Sequence, residues 1–362
     1  MPESVPKKLV RRGRSYRYDV SQCRLYRVGS PARLSEALEI PLDKLQALAF
    51  RGDNYKIFQK DDLDPFALRP RKPREIQEPK VALKAVHQRV ARLLRHVEVP
   101  EYLHSAVKGV SYRTNAVQHA RVGVSVLTMD VQDFYQSTRE SRVFDFFREV
   151  LLCAPDVSRI MARLLTWRGV LATGSPASPL LSFHCNRPMF DEMAAVAVEG
   201  ALTFTCYVDD ITFSGSSARR GLAGAIGRIA RRHGHWIKER KTRFYSPGQA
   251  SVITGVVVTD GVVSVPHERR LKGRRIEAAI ASAEDLIDRL ALTEKLMGLA
   301  GEAAYLDPTF RPWADGVSGR LRVMRSTAVS VARREAMRVA PMSVAKPESG
   351  HDCMVALSAP WE

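Results

Sequence analysis

The sequence predicts a mixed α/β fold, and three observations lead there. Two β-rich runs, VSVLTM at 124–129 and ALTFTCYV at 201–208, each lead into carboxylates, and ITF at 211–213 continues as a strand after the second. Helical apolar stripes precede and separate these runs, so strands and helices alternate along the chain. From Glu268 to about Arg334 the composition turns to Ala, Leu, Glu and Arg, the mark of a separate helical subdomain. At 362 residues and 45% hydrophobic, the chain can bury a sizeable core in two or three packed subdomains.

The charge narrows the partner. Lys and Arg number 56 against 39 Asp and Glu, a net charge of +17. Any one of these cations is ordinary solvated surface, but the summed excess, spread along the whole chain, fits a long polyanion. The five cysteines, Cys23, Cys153, Cys185, Cys206 and Cys353, are odd in number and form no C-x-x-C pair. Neither a disulfide framework nor a zinc site is indicated, and a reducing cytoplasm is expected. No apolar run reaches membrane-spanning length and no signal-like stretch follows the basic N-terminus, so no membrane partner is expected.

Taken in order, residues 1–30 are basic with Tyr16, Tyr18 and Tyr26 interleaved, and are expected to form an arm against nucleic acid. Leu34, Leu38, Leu42, Leu45 and Leu48 mark short helices broken at Pro41. Residues 60–80 carry Pro65, Pro70, Pro73 and Pro79 and read as a loop or an irregular strand pair. Leu83, Val86, Val90, Leu93 and Leu94 stripe a helix from Val81 to Val97, and a further helix runs from Leu180 to Ala197. A strand pair is expected at 243–246 and 251–258, with VVSV at 262–265 close behind. The stretch after the C-terminal helical segment reads as a loosely packed tail, too short for a nuclease or toxin domain.

Tyr207-Val208-Asp209-Asp210, between two β-rich runs, is the sharpest local signal. Adjacent acids at a tight turn repel each other and gain most from a divalent cation. Asp61-Asp62 is also such a pair, but it sits in a polar, Pro-containing loop and is assigned to solvent. What distinguishes Asp209-Asp210 is Asp130, which ends VSVLTM and opens Asp130-Val131-Gln132-Asp133-Phe134-Tyr135. Neighbouring strands ending in acids would bring three carboxylates to one sheet edge, able to hold two Mg²⁺ ions about 3.5–4 Å apart, with Mn²⁺ as a substitute.

Asp130-Val-Gln-Asp-Phe-Tyr, Gly174-Ser-Pro-Ala-Ser-Pro179 and Tyr207-Val-Asp-Asp210 resemble, in that order, motifs A, B and C of reverse transcriptases. The resemblance covers roughly residues 70–330. It implies a right-hand polymerase fold: fingers with a family-specific insertion over 31–120, a palm with motifs A to E over 121–265, a helical thumb over 266–335 and a tail over 336–362. It further implies RNA-directed DNA synthesis from dNTPs. Asp130, Asp209 and Asp210 would be the catalytic metal ligands, and the Val131 carbonyl an added one. Tyr135 falls where the family places an aromatic gate against the ribose 2′-OH, and Gly174 would shape a turn against the nucleotide. The residue before that glycine is usually Gln and here is Thr173. Arg74 first and Arg71 second match the finger motif R-x-I-x-x-P that contributes cations to the triphosphate. Lys241 resembles the motif D lysine that protonates the leaving pyrophosphate, although Lys238 stands where the family often has Asn.

Two segments narrow the resemblance to retron enzymes: Asn115-Ala116-Val117-Gln118-His119 fits their Asn-Ala-x-x-His signature, and Ile253-Thr254-Gly255 resembles their Val-Thr-Gly. By that likeness Asn115, His119, Thr254 and Gly255 would help recognise the enzyme's own structured non-coding RNA. Arg269, Arg270, Lys272, Arg274 and Arg275 would grip the RNA–DNA product. Copying of part of that RNA from a 2′-OH, a short single-stranded DNA product, a separate effector protein and a role in phage defence would follow. The alternatives are another bacterial reverse transcriptase, of the group II intron, diversity-generating or abortive-infection type, or an RNA-binding scaffold with a dead site.

Overall fold

The structure, a computed structural model, describes residues 17–60, 64–68 and 72–339, with side chains through 332. Two short helices, α1 (Pro31–Leu38) and α2 (Leu42–Phe50), come first and are separated at Pro41. Ser30 caps α1 by accepting the Arg33 amide at 3.3 Å, and Pro31 suits its first turn. The Pro-rich stretch is bounded by a regular antiparallel hairpin, β1 (Tyr55–Lys60) with β2 (Arg74–Pro79). Next, α3 (Val81–Leu94) buries the stripe the sequence shows. Ser111 and Thr114 then close a capping box on α4 (Tyr112–Gln118).

The centre of the chain holds β3 (Ser125–Asp130), the one-turn α5 (Phe134–Ser137), α6 (Glu140–Asp145), α7 (Pro155–Leu165), the small hairpin β4 (Thr166–Trp167) and β5 (Val170–Leu171), and α8 (Ser178–Glu199). After these come β6 (Thr203–Tyr207), β7 (Asp210–Gly215), α9 (Leu222–Arg232) and β8 (Arg243–Tyr245). The central sheet has the order β6-β7-β3-β8 with every pairing antiparallel. In its middle, β3 is buried along nearly its whole length, as its continuous apolar run requires. Leu181, Met189, Phe190 and Met193 of α8 share one core with Leu127, Phe213 and Ile226.

Residues 251–259 depart from the expected strand pair. Whereas β8 joins the central sheet beside β3, β9 (Ser251–Ile253) and β10 (Val256–Thr259) fold on each other, and β11 (Val262–Ser264) completes a separate three-stranded sheet. The reason is local. Thr254 and Gly255 form a two-residue connection with φ of 46° and 76°, the left-handed pair of a type I′ hairpin turn. Three helices end the described residues: α10 (His267–Ser282), α11 (Leu286–Leu306) and α12 (Arg311–Val339), around Ile276, Leu296, Ala300 and Val317.

Two boundaries shift. Cys23, Leu25 and Val28 are at most 5% exposed and belong to the main core, so residues 18–28 are packed structure and not an arm. At the other end, α12 runs to Val339, past the expected boundary at 335. Residues 1–16, the Asp61-Asp62 pair and residues 340–362, Cys353 among them, lie outside the described residues.

Candidate active site

In β3, Asp130 stands directly opposite Asp210, the first residue of β7, and Asp210 is also opposite Tyr207 at the end of β6. The two acid-ended runs are therefore not neighbours. The strand after the turn lies between them, and the tight Val208-Asp209 connection delivers the third acid to the same edge. Val208 has φ of 60°, a left-handed conformation that a β-branched residue adopts only under constraint. Two bonds hold the turn: the Val208 amide donates to Ser105 Oγ at 3.0 Å, and the Val131 amide donates to the Asp209 carbonyl at 2.8 Å. As a result, Asp130, Asp209 and Asp210 each present a carboxylate oxygen within 4.8 Å of the others.

Two lysines answer three acids. Lys241 Nζ donates to Asp130 Oδ2, and Lys238 Nζ lies 3.1 Å from Oδ1. Burial, and then the Asp130 charge, raise the Asp209 pKa. Burial, then Asp209 and Asp130, push Asp210 up to about 7, against the pull of both lysines. For Lys241, burial pulls the pKa down, but the bond to Asp130 and the three acid charges outweigh it and hold the ammonium charged. Asp130 is 2% exposed, and its Oδ1 has no aligned hydrogen-bond donor among the described residues. Three hard oxygen donors within 4.8 Å of one another, with three acids set against two lysines, fit a hard divalent cation. Val131, the other expected ligand, follows Asp130 directly and is fully buried, with its amide bonded to the Asp209 carbonyl.

The other expected nucleotide contacts are distributed around this edge. Tyr135, on α5, is half-buried, and burial first, then the Asp209 charge, raises its hydroxyl pKa. Gly174 packs against β2: its amide donates to the Gln77 carbonyl at 3.1 Å, and an added Cβ would come within 2.7 Å of that oxygen. Thr173, where a Gln was expected, turns its hydroxyl to Gln77 Oε1 at 3.0 Å. Arg74 is exposed opposite Lys60, at the end of the β1–β2 hairpin next to its connection, and no described contact joins it to the acids. Arg71 lies outside the described residues.

The two retron-like signatures meet in space. Asn115 Nδ2 donates to Thr254 Oγ1 at 3.4 Å, and the Thr254 hydroxyl donates to the Tyr112 carbonyl at 3.0 Å. Thr254 and Gly255 line the same cleft, of about 410 Å³, as Asp130, Asp210 and Lys241. Asn115 and His119, however, are each 1% exposed, so the expectation that their side chains touch RNA is corrected to one of support. His119 sits between Ser214 Oγ and Thr205 Oγ1, 2.7 Å from each, and burial pushes its pKa down to about 3. It pins α4 against the central sheet.

The basic run on α10 is only partly free. Arg269 pairs with Glu302 at 2.7 Å. Lys272 binds Asp64 of the β1–β2 connection, and Arg275 donates to the Ala67 carbonyl at 3.3 Å. Lys295 of α11 also reaches Asp64, at 2.8 Å, and lies 4.8 Å over the Phe66 ring. Arg270 and Arg274 are exposed on one helical face.

Several residues that shape the site carry no signal in the sequence as functional groups. Lys238 is the second cation on Asp130. Gln77 backs the Gly174 turn, and His87, through Nδ1 at 2.6 Å from Ser175 Oγ and Nε2 at 2.7 Å from the Leu164 carbonyl, braces the same turn from α3. Each is recognisable only from its partner, 88 residues away for His87 and Ser175.

No protein-family profile matches the chain. Curated proteins do. The retron Se72 reverse transcriptase of Salmonella heidelberg is 26% identical over 213 residues, which cover 55% of this chain and 55% of that protein. The retron Ec86 reverse transcriptase of Escherichia coli is 25% identical over 241 residues, 65% of this chain and 73% of that one. The retron Mx65 reverse transcriptase of Myxococcus xanthus is 29% identical over 259 residues, 65% of this chain and 58% of that one. The chain thus spans about 55% of the length of the Se72 protein. Among solved structures, apo telomerase from Candida tropicalis, truncated from its C-terminal domain, aligns with a TM-score of 0.42 at 10% identity, over 59% of this chain and 55% of that one. At 25–29% identity across more than half of its length, the chain is a relative of the retron reverse transcriptases.

Proposed function

We propose that this chain is an RNA-directed DNA polymerase that copies part of its own structured RNA into a short single-stranded DNA. The observation that carries this reading is the convergence of Asp130, Asp209 and Asp210 within 4.8 Å at one sheet edge, in a relative of the retron reverse transcriptases. Residues 31–120 would serve as fingers, 121–265 as palm and 266–335 as thumb. Bound divalent ions would activate a primer hydroxyl and stabilise the leaving pyrophosphate. Lys241, kept charged by the acids, is the proton donor assigned to that leaving group. Tyr135 would press on the sugar of the incoming dNTP and exclude a 2′-OH, while Gly174 allows the motif B turn to lie flat on β2. Arg74 and Arg71 would meet the triphosphate. Exposed Arg270 and Arg274 would follow the phosphate backbone of the product, a grip that weakens as salt rises.

Priming from an RNA 2′-OH, a separate effector, cytoplasmic location and a role in phage defence belong to the same proposal. Sequencing the nucleic acid that co-purifies with the protein tests it, because template and product would both be present. DNA that remains joined to RNA until a debranching enzyme is added supports 2′-OH priming. DNA that separates on simple denaturation refutes it.

A further inference from the structure

At only four residues, Phe134 to Ser137, α5 has no helical stability of its own in water. Whatever holds it sets where Tyr135 points. A buried polar network from two distant segments does so. Asn186, in the middle of α8 and fully buried, donates through Nδ2 to the Ser182 carbonyl at 2.8 Å and to Thr138 Oγ1 at 2.9 Å. A carbonyl only accepts, so the amide orientation is fixed and Oδ1 faces His235. His235 Nε2 lies 2.7 Å from that oxygen, which assigns the ring proton to Nε2 and leaves Nδ1 bare. Ser137 Oγ, 2.8 Å away, donates to Nδ1. Thr138 Oγ1 passes its own proton to the Phe134 carbonyl at 2.8 Å. The imidazole also packs on the Phe134 ring, with centroids 5.6 Å apart.

Both ends of α5 are thus tied to one network. The histidine is anchored in turn, because its neighbour Trp236 accepts the Gln132 amide at 2.7 Å, beside motif A. His235 is fully buried, and burial lowers its pKa to about 4, so the neutral ring that the network requires is the form present near neutrality.

We propose that His235 and Asn186 are positioning residues that fix α5 and, through the Tyr135 gate, set the preference for deoxyribonucleotides over ribonucleotides. The inference rests on the polymerase reading and on Tyr135 as the gate. Neither residue is assigned contact with substrate.

The test is primer extension on an RNA template by the full chain, with kcat and KM measured separately for a dNTP and its rNTP. Asn186→Ala and His235→Ala are expected to lower the dNTP-over-rNTP ratio about tenfold, the effect of one lost buried hydrogen bond, with a smaller change in kcat for the dNTP. His235→Gln, which can restore a donor to Asn186 Oδ1, recovers part of the ratio. Ser137→Ala removes a single hydroxyl without emptying the core and lowers the ratio about two- to threefold. It decides the matter should the larger changes prevent folding. Adding Ser137→Ala to Tyr135→Ala should cost no further discrimination, because both act through one ring. No synthesis by the unaltered chain sinks the polymerase reading. An unchanged ratio in Tyr135→Ala sinks the gate and the proposal with it. A lowered ratio in Tyr135→Ala beside unchanged ratios in Ser137→Ala and His235→Ala overturns the positioning role alone.

Discussion

At the edge of the central sheet, three carboxylates share two lysines; where residues 64–68 meet the C-terminal helices, one carboxylate takes two. The first balance is negative, and Asp210 is pushed up to about 7 by burial and by its acid neighbours. The second is positive. Burial alone would raise the Asp64 pKa, but the bonds from Lys272 and Lys295 outweigh it and hold the carboxyl well below its usual range. The same residue types therefore build a site hungry for cations in one place and a surface with cationic surplus in the other, where Arg270 and Arg274 remain exposed. Only the count of neighbours differs.

Inverting the first balance is the harshest way to break this comparison. Asp209→Ala with Asp210→Ala leaves one acid to two lysines, and DNA synthesis should fall to background. Heat denaturation with and without Mg²⁺ should then coincide, whereas the unaltered protein should melt later with the ion present. Undiminished synthesis by the double variant would remove the site assignment.

Gly174→Ala leaves every charge in place and changes only geometry. The new Cβ would lie 2.7 Å from the Gln77 carbonyl, so the motif B turn must lift off β2. Synthesis should drop by more than an order of magnitude and stability by about 1–3 kcal/mol. Unaltered KM for dNTP would separate this turn from the nucleotide.

Acid distinguishes the two regions through stability. His87, His119, His184 and His235 are buried in the central part, with pKa values lowered by burial to about 4, 3, 3 and 4. Between those values and the unfolded value near 6.5, the unfolded chain binds more protons than the folded one. Stability therefore rises with pH across the window and is lost on acidification, by about 2 kcal/mol at pH 5 for His87 alone. The urea midpoint should fall from pH 7.5 to 5, with amide exchange rising in the central sheet before the C-terminal helices.

The smallest effect is expected at the other cluster. Asp64→Ala frees Lys272 and Lys295 for phosphate, and affinity for duplex RNA–DNA should rise about two- to fivefold at low salt, with a steeper salt dependence. Weaker binding would show that the contact with residues 64–68 supports the grip instead of competing with it.

Much of the sheet edge is legible in one dimension, because β-rich runs and the acids at their ends are local patterns. Thr254-Gly255 is equally local: two left-handed residues make a hairpin where the β-rich pattern of 251–258 predicts one continuous strand. The burial of Asn115 and His119 was not legible, since their partners Thr254, Ser214 and Thr205 lie 86 or more residues away. Nor was the fate of Lys272 and Arg275. As a run of cations they promised nucleic acid, but 208 residues earlier stands the carbonyl that occupies Arg275.

By itself the sequence determined which residues would be acids at strand ends, where the chain turns, and that cations exceed anions by 17. Turn geometry and apolar periodicity act over a few residues, so they are written where they operate. Which lysine neutralises which acid, which histidine braces a one-turn helix, and which cations remain for a polyanion were decided only in the tertiary structure. Those are contacts of a few ångströms between segments far apart in the chain, and charge balance is a sum over spatial neighbours that no linear pattern encodes.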